Sequence, residues 1–210
     1  MMTQATVYGI PQSTYTRSAL MMLKEKGVDH TLEPVELGSD ALYALHPFGK
    51  IPAFKHGDVQ LFETIAIGQY ADGAFDGPSL QPADPVGQAK MSQWNSAIID
   101  YVYPVAIKDY LLKKIFAPES GPDQAALQEA REKLGPQFDA MNAALGDSGY
   151  FAGSGPSIAD YMAFPIIWYL RSDAEVGPMI AERHALADWA DRMEQRESAS
   201  TTVPPPPPSS

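Results

Sequence analysis

The stretch KIPAFKHGDVQLFET, Lys50 to Thr64, decides the fold. Two short apolar runs flank Lys55-His56-Gly57-Asp58, a cluster of turn formers, so Ile51–Glu63 within it reads as a β-hairpin. Directly after it, TIAIGQYADGAF (Thr64–Phe75) spaces Ile65, Ile67, Tyr70 and Ala71 along one helix face. Outward toward the N-terminus, SDALYALH (Ser39–His46) has the composition of one or two helical turns. HTLEPVEL (His30–Leu37) reads as a strand with Thr31 and Val35 as β-formers, and Pro34 confines it to a sheet edge. In YGIPQSTYTRSALMMLKEKG (Tyr8–Gly27) loop gives way to helix: Ser13 is a preferred N-cap, Ala19, Leu20, Met22 and Leu23 form the apolar stripe, and Gly27 stands where a C′ glycine ends a helix. ATVYG (Ala5–Gly9) precedes it as a strand. The order βαβ then ββα predicts a mixed four-stranded sheet with helices on its faces.

Beyond this unit, DGPSLQPADP (76–85) has linker composition. Strand signals then cease. The segment Pro85–Phe116 is one long apolar-periodic run with Pro104 able to kink it, and Pro122–Gly146 is a second helix that Gly135-Pro136 can bend. Ser157–Ser172 is apolar on all sides and therefore central, and His184–Glu197 is a last amphipathic helix. The expected class is α+β: an α/β domain over 1–76, a linker over 77–85, an all-helical domain over 86–198, and a low-complexity Pro-rich tail over 199–210.

Composition removes whole classes of function. A net charge of −11 over 210 residues argues against nucleic acid or an anionic membrane as partner, since phosphate binding needs clustered Lys and Arg. The absence of cysteine excludes disulfides, thiolate metal ligands and a protein thiol nucleophile. The four histidines, His30, His46, His56 and His184, show no ligand spacing, so no metal is expected. No apolar run approaches a membrane span, and a cytoplasmic protein is the expectation.

Four stretches in order resemble one family, the cytosolic glutathione transferases, in their serine-type, phi-like plant and bacterial group. They are YGIPQSTYTRSALMMLKEKG, HPFGKIPAFKHGDVQLFET, WNSAIIDYVYPVAIKDYLLKKIFAP and YFAGSGPSIADYMAFP, and the likeness runs from Ala5 to Glu197. The resemblance implies a thioredoxin-like first domain that binds glutathione and a helical second domain. It implies a cis bond before Pro52 that presents the Ile51 backbone to the cysteinyl part of glutathione. Thr64, where the family usually has Ser, and Glu63 would meet the carboxylate and ammonium of the γ-glutamyl part, and Lys50 the glycyl carboxylate. Without the resemblance, Glu63 and Thr64 read as a plain helix cap. Ser157 and Asp160 have capping-box spacing and read as a folding device.

Ser13 carries two roles, helix cap and thiol activator. Glutathione's thiol resembles free cysteine, with a pKa near ~8.5, and a hydroxyl donating to sulfur favours the thiolate. Tyr8 is the runner-up, at the place where tyrosine-type members hold their phenol, and Thr14 stands third. Arg17 reads equally as a source of positive potential or as an ion-pair partner. His46 replaces the family's usual Asn before Pro47 and reads as a surface histidine. A second, hydrophobic substrate is expected to meet Ile10, Tyr110, Lys114 and Trp168, and Phe48 is the candidate key of a homodimer. The leading function is conjugation of glutathione to a hydrophobic electrophile. Glutathione-dependent peroxidase, dehalogenase or isomerase work uses the same thiolate, and a non-catalytic binding or scaffold protein is the competing class.

Overall fold

The computed structural model describes residues 4–146 and 148–206. The chain divides into two compact units: residues up to Gln81 together with those from Glu194 onward, and Pro82–Met193.

The first unit is built on β1 (Ala5–Tyr8), α1 (Thr14–Glu25), β2 (His30–Glu33), α2 (Asp40–Leu45), β3 (Ala53–His56), β4 (Val59–Phe62) and α3 (Thr64–Ala74). The sheet order is β2-β1-β3-β4, with β1 parallel to β2 and antiparallel to β3, and β4 antiparallel to β3. β2 is therefore an edge strand, and it stops at Glu33 because Pro34 has no N–H for the ladder. In β1, Ala5 and Val7 alternate into a core with Leu20 and Leu23 of α1, Phe54 of β3 and Ile67 of α3. Gly27 closes α1: at φ +64° it donates its N–H to Lys24, and Val28 donates to Leu23, both at 2.9 Å. This is a Schellman motif, and Leu23 and Val28 supply its apolar contact within the core. At Gly9 a Cβ would lie 2.5 Å from Thr16 Oγ1, so only glycine lets β1 leave this close to the helix.

The C-terminal segment differs from the expected tail. Ala199 is 1% exposed, and α10 (Glu197–Ser200) packs on α1. The cause is a pair of charged residues on α1. Arg17, 1% exposed, donates through Nη2 to the Ala199 carbonyl at 3.2 Å. Glu25 accepts from Arg196 Nε and Nη2 at 2.7 and 2.6 Å, and from Ser198. Two charges on a packed helix need such partners, and they draw residues 194–202 into the first unit. Of the Pro-rich run, 207–210 lie outside the described residues.

The second unit begins with α4 (Pro85–Ala97), capped by Asp84, whose Oδ1 accepts from the N–H groups of Val86 and Gly87. The expected kink at Pro104 takes the form of π-helix over Ile98–Val102 and Pro104–Leu111 before α5 (Leu112–Ile115). Tyr103 donates to Ile98 and Leu112 to Ile107, five residues back, a wider ladder that accommodates a proline lacking its N–H. α6 (Gln124–Gly146) carries Pro136 inside it and starts after Asp123, which caps Ala125 and Ala126. Then come α7 (Ile158–Arg171), α8 (Gly177–Ala181) and α9 (His184–Glu194). Ile158 to Ile167 are all buried, as the all-round apolar pattern of α7 predicts.

Two polar clusters hold this unit. Asp160 is fully buried: Oδ2 accepts from Ser157 N–H (2.8 Å) and Oγ–H (2.9 Å), and Oδ1 from Phe151 N–H (3.2 Å) and Trp189 Nε1–H (2.9 Å). Burial pushes its carboxyl up, and the donors work against that rise. In the other cluster, Lys114 Nζ lies 2.6 Å from Asp173 Oδ2 and donates to the Tyr110 hydroxyl at 3.3 Å, while that hydroxyl is 2.8 Å from Asp173 Oδ1. Burial raises the Tyr110 phenol to about 12, with Asp173 reinforcing it, and the donors around Asp173 outweigh burial and lower its carboxyl to about 2.

Asp160→Ala leaves Ser157, Phe151 and Trp189 donors unsatisfied, each costing about 1–3 kcal/mol. Chemical denaturation should therefore show a loss of at least about 3 kcal/mol, with Asp160→Asn losing distinctly less. Asp173 has a depressed carboxyl, so its stabilisation is present above the ordinary carboxylate range and is lost as pH falls toward about 2. Thermal melts between pH 4 and 2 should show that decline in the wild type and a flatter curve in Asp173→Asn.

Candidate active site

The strand register gathers the site. Tyr8, the last residue of β1, lies opposite Ala53, the first of β3, and Ala53 lies opposite Phe62, the last of β4. One end of the sheet thus releases the loop into α1, receives the Ile51-Pro52 peptide, and releases Glu63 into α3.

Ser13 is the N-cap of α1, half-buried, with φ −71° and ψ 126°. Its Oγ accepts from Thr16 N–H at 3.2 Å, and its own N–H donates to the Ile10 carbonyl at 3.1 Å. A hydroxyl that accepts in this way keeps its proton for a further acceptor. The first turn of α1 contains no acidic residue, so the positive end of the helix is not neutralised from within. Tyr8 is half-buried beside this loop, whereas Thr14 is only 5% exposed. Arg17 resolves as a buried donor to the C-terminal segment.

On the β3 side, Gly49 N–H donates to the His46 carbonyl at 2.8 Å, which turns the chain before the exposed Lys50 and the half-buried Ile51. The Ile51–Pro52 bond is cis. On the α3 side, Glu63 is the N-cap with φ +71° and ψ 119°, a conformation that costs a non-glycine residue on the order of 1–3 kcal/mol. Glu63 makes no side-chain cap, and the first turn of α3 has no acidic residue, so its N–H groups are available to an anion. Thr64 is 5% exposed and its hydroxyl donates to the Tyr15 carbonyl at 3.5 Å, tying α3 to the first turn of α1.

Other residues land differently. His46 is 2% exposed, not on the surface: Phe48 N–H donates to its Nδ1 at 3.2 Å, and its ring packs at 4.8 Å from Phe62. Burial lowers its basicity against the opposing pull of Glu63. The one sequence signal was its replacement of the family's Asn. Tyr110 has no exposed surface and is committed with Lys114 to the Asp173 cluster, in place of the pocket lining expected for it. Ile10 and Trp168 are half-buried, and Phe48 is 69% exposed on its loop. Ser157 and Asp160 form the capping box. Among the described residues no cluster of His, Asp and Glu is placed to hold a metal, and no helix is long and apolar enough to cross a membrane.

Comparison with known proteins places these features in context. Residues 3–73 match the glutathione S-transferase N-terminal domain and residues 124–192 the C-terminal domain. The chain is 35% identical over 192 residues to glutathione S-transferase F14 of Arabidopsis thaliana, covering 85% of this chain and 75% of that one. It is 32% identical to a glutathione S-transferase of Hyoscyamus muticus, over 87% and 90% of the two chains. Among solved structures, glutathione transferase F7 of Populus trichocarpa superposes with a TM-score of 0.85 at 29% identity, over 95% of this chain and 97% of that one. The chain belongs to the glutathione S-transferase family, in its phi-like group.

Proposed function

We propose that this glutathione transferase binds glutathione at the end of the sheet and activates its thiol with Ser13. The observation that carries the reading is the state of the Ser13 hydroxyl, which accepts from Thr16 N–H and retains its own proton at an uncompensated helix N-terminus. In this reading the cysteinyl backbone pairs with Ile51 beside cis-Pro52, the γ-glutamyl carboxylate sits on the first turn of α3 with Thr64, its ammonium pairs with Glu63, and Lys50 meets the glycyl carboxylate. The thiol proton passes to solvent and the thiolate is held by the Ser13 O–H. Sulfur then forms the new bond to an electrophilic carbon, and the leaving group departs with its electron pair.

Magnitudes support one hydroxyl as sufficient. A tenfold gain in acidity requires ~1.4 kcal/mol, and a hydrogen bond to a charged group supplies about 1.5–3 kcal/mol. Ile10 lies on the same loop as Ser13 and is a candidate contact for the hydrophobic partner. Phe48, an exposed aromatic on a short loop, fits the key of a two-fold homodimer.

Turnover with an aryl halide electrophile tests the assignment. Ser13→Ala should lower kcat/KM by about 10- to 100-fold, the loss of one charge-assisted bond. Tyr8→Phe should stay within about threefold. The reverse pattern would move activation to the Tyr8 phenol.

A further inference from the structure

His46 is a buried, titratable side chain for which the proposed chemistry has no use. Its backbone is fixed as the C-cap of α2, where its N–H donates to the Leu42 carbonyl at 2.8 Å. Its ring is fixed by Phe48 N–H on Nδ1 and by the packing of Phe62 at 4.8 Å. Gln60 of β4 bonds to the carbonyls of Ala44 and Leu45 at 3.0 and 3.2 Å, which holds the strand leading to Glu63 against the end of α2. Because Nδ1 accepts, the proton of the neutral ring is on Nε2. Nε2 lies 4.0 Å from Glu63 Oε1.

We infer that His46 is a positioning residue for Glu63: its Nε2–H steadies the exposed Glu63 carboxylate toward the ammonium of glutathione. The inference rests on the pairing of Glu63 with that ammonium proposed above. The Glu63 side chain is 64% exposed, so binding must otherwise immobilise a side chain rich in rotamers. A fixed N–H about one ångström beyond hydrogen-bond length closes with a small turn of that flexible side chain and meets part of this cost before the ligand arrives.

A neutral donor suits the task better than a cation. The charged groups acting on His46 are Glu63, at the start of α3, and Lys50, on the loop after α2, while Phe62 of β4 and Phe48 of the loop add only apolar rings. Burial and Lys50 oppose protonation and Glu63 favours it, with a net lowering. That lowering favours the uncharged ring, which orients the carboxylate without cancelling the charge that attracts the ammonium. A lysine or arginine in its place would compete with the ligand.

The test compares calorimetric affinities for glutathione and for glutaryl-cysteinyl-glycine, which lacks only the α-ammonium. His46→Phe keeps an aromatic ring but has no donor, His46→Leu serves if that variant does not fold, and His46→Gln restores a donor that reaches the Nε2 position. The expected result is a three- to tenfold fall in the preference for glutathione over the analogue in His46→Phe, recovery in His46→Gln, and kcat within twofold of wild type. Because the readout is a ratio of two ligands, general damage to the fold does not move it. A wild-type preference that survives loss of the donor would overturn the inference alone. If the wild type showed no preference, the Glu63–ammonium pairing would fail, and the inference with it.

Discussion

The pairing of β1, β3 and β4 at one sheet end is the constraint on which the site depends. Tyr8, Ala53 and Phe62 stand side by side in the ladder. A slip of one residue in either pairing would turn every side chain of a strand to the other face and separate Ser13, Pro52 and Glu63. The two-residue Gly57-Asp58 turn fixes the β3–β4 register, and the burial of Val7 and Phe54 in one core fixes that of β1 and β3.

Helix ends are treated unequally in this molecule. α2, α7 and α10 have an acidic residue in the first turn, and α4 has Asp84 as its cap. Such carboxylates neutralise the positive end of a helix. α1 and α3 have no acidic residue in the first turn, a feature they share with α5, α8 and α9, and Glu63 at the N-cap of α3 makes no side-chain cap; α1 and α3 start at the candidate-site end of the sheet. In the proposed reading, the thiolate and the γ-glutamyl carboxylate of glutathione take these two helix starts. Thr64, bonded to the Tyr15 carbonyl, joins the two helix starts.

Much of this was legible in the sequence where the signal was local. The hairpin, the Ser13 cap, the Gly27 stop and the Ser157–Asp160 box each depend on residues within a few positions of one another. What escaped depends on distant partners. His46 looks exposed by type, and it is buried because Phe62, sixteen positions on, packs against it. Tyr110 and Lys114 face Asp173 across the helical unit, a pairing that periodicity does not encode. The C-terminal segment reads as low complexity, yet Arg17 and Glu25 on α1 draw part of it into the core. Pro104 announced a kink, and the π-helical ladder is the form that kink takes.

The central claim is that this sheet end lowers the pKa of a bound thiol. An ultraviolet titration of glutathione in the presence of saturating wild-type protein measures it directly. Thiolate appearing at least one pH unit below its free value, near ~8.5, is the predicted result. Glutathione that binds and titrates at its free value would contradict the account and leave Ser13 as a helix cap alone.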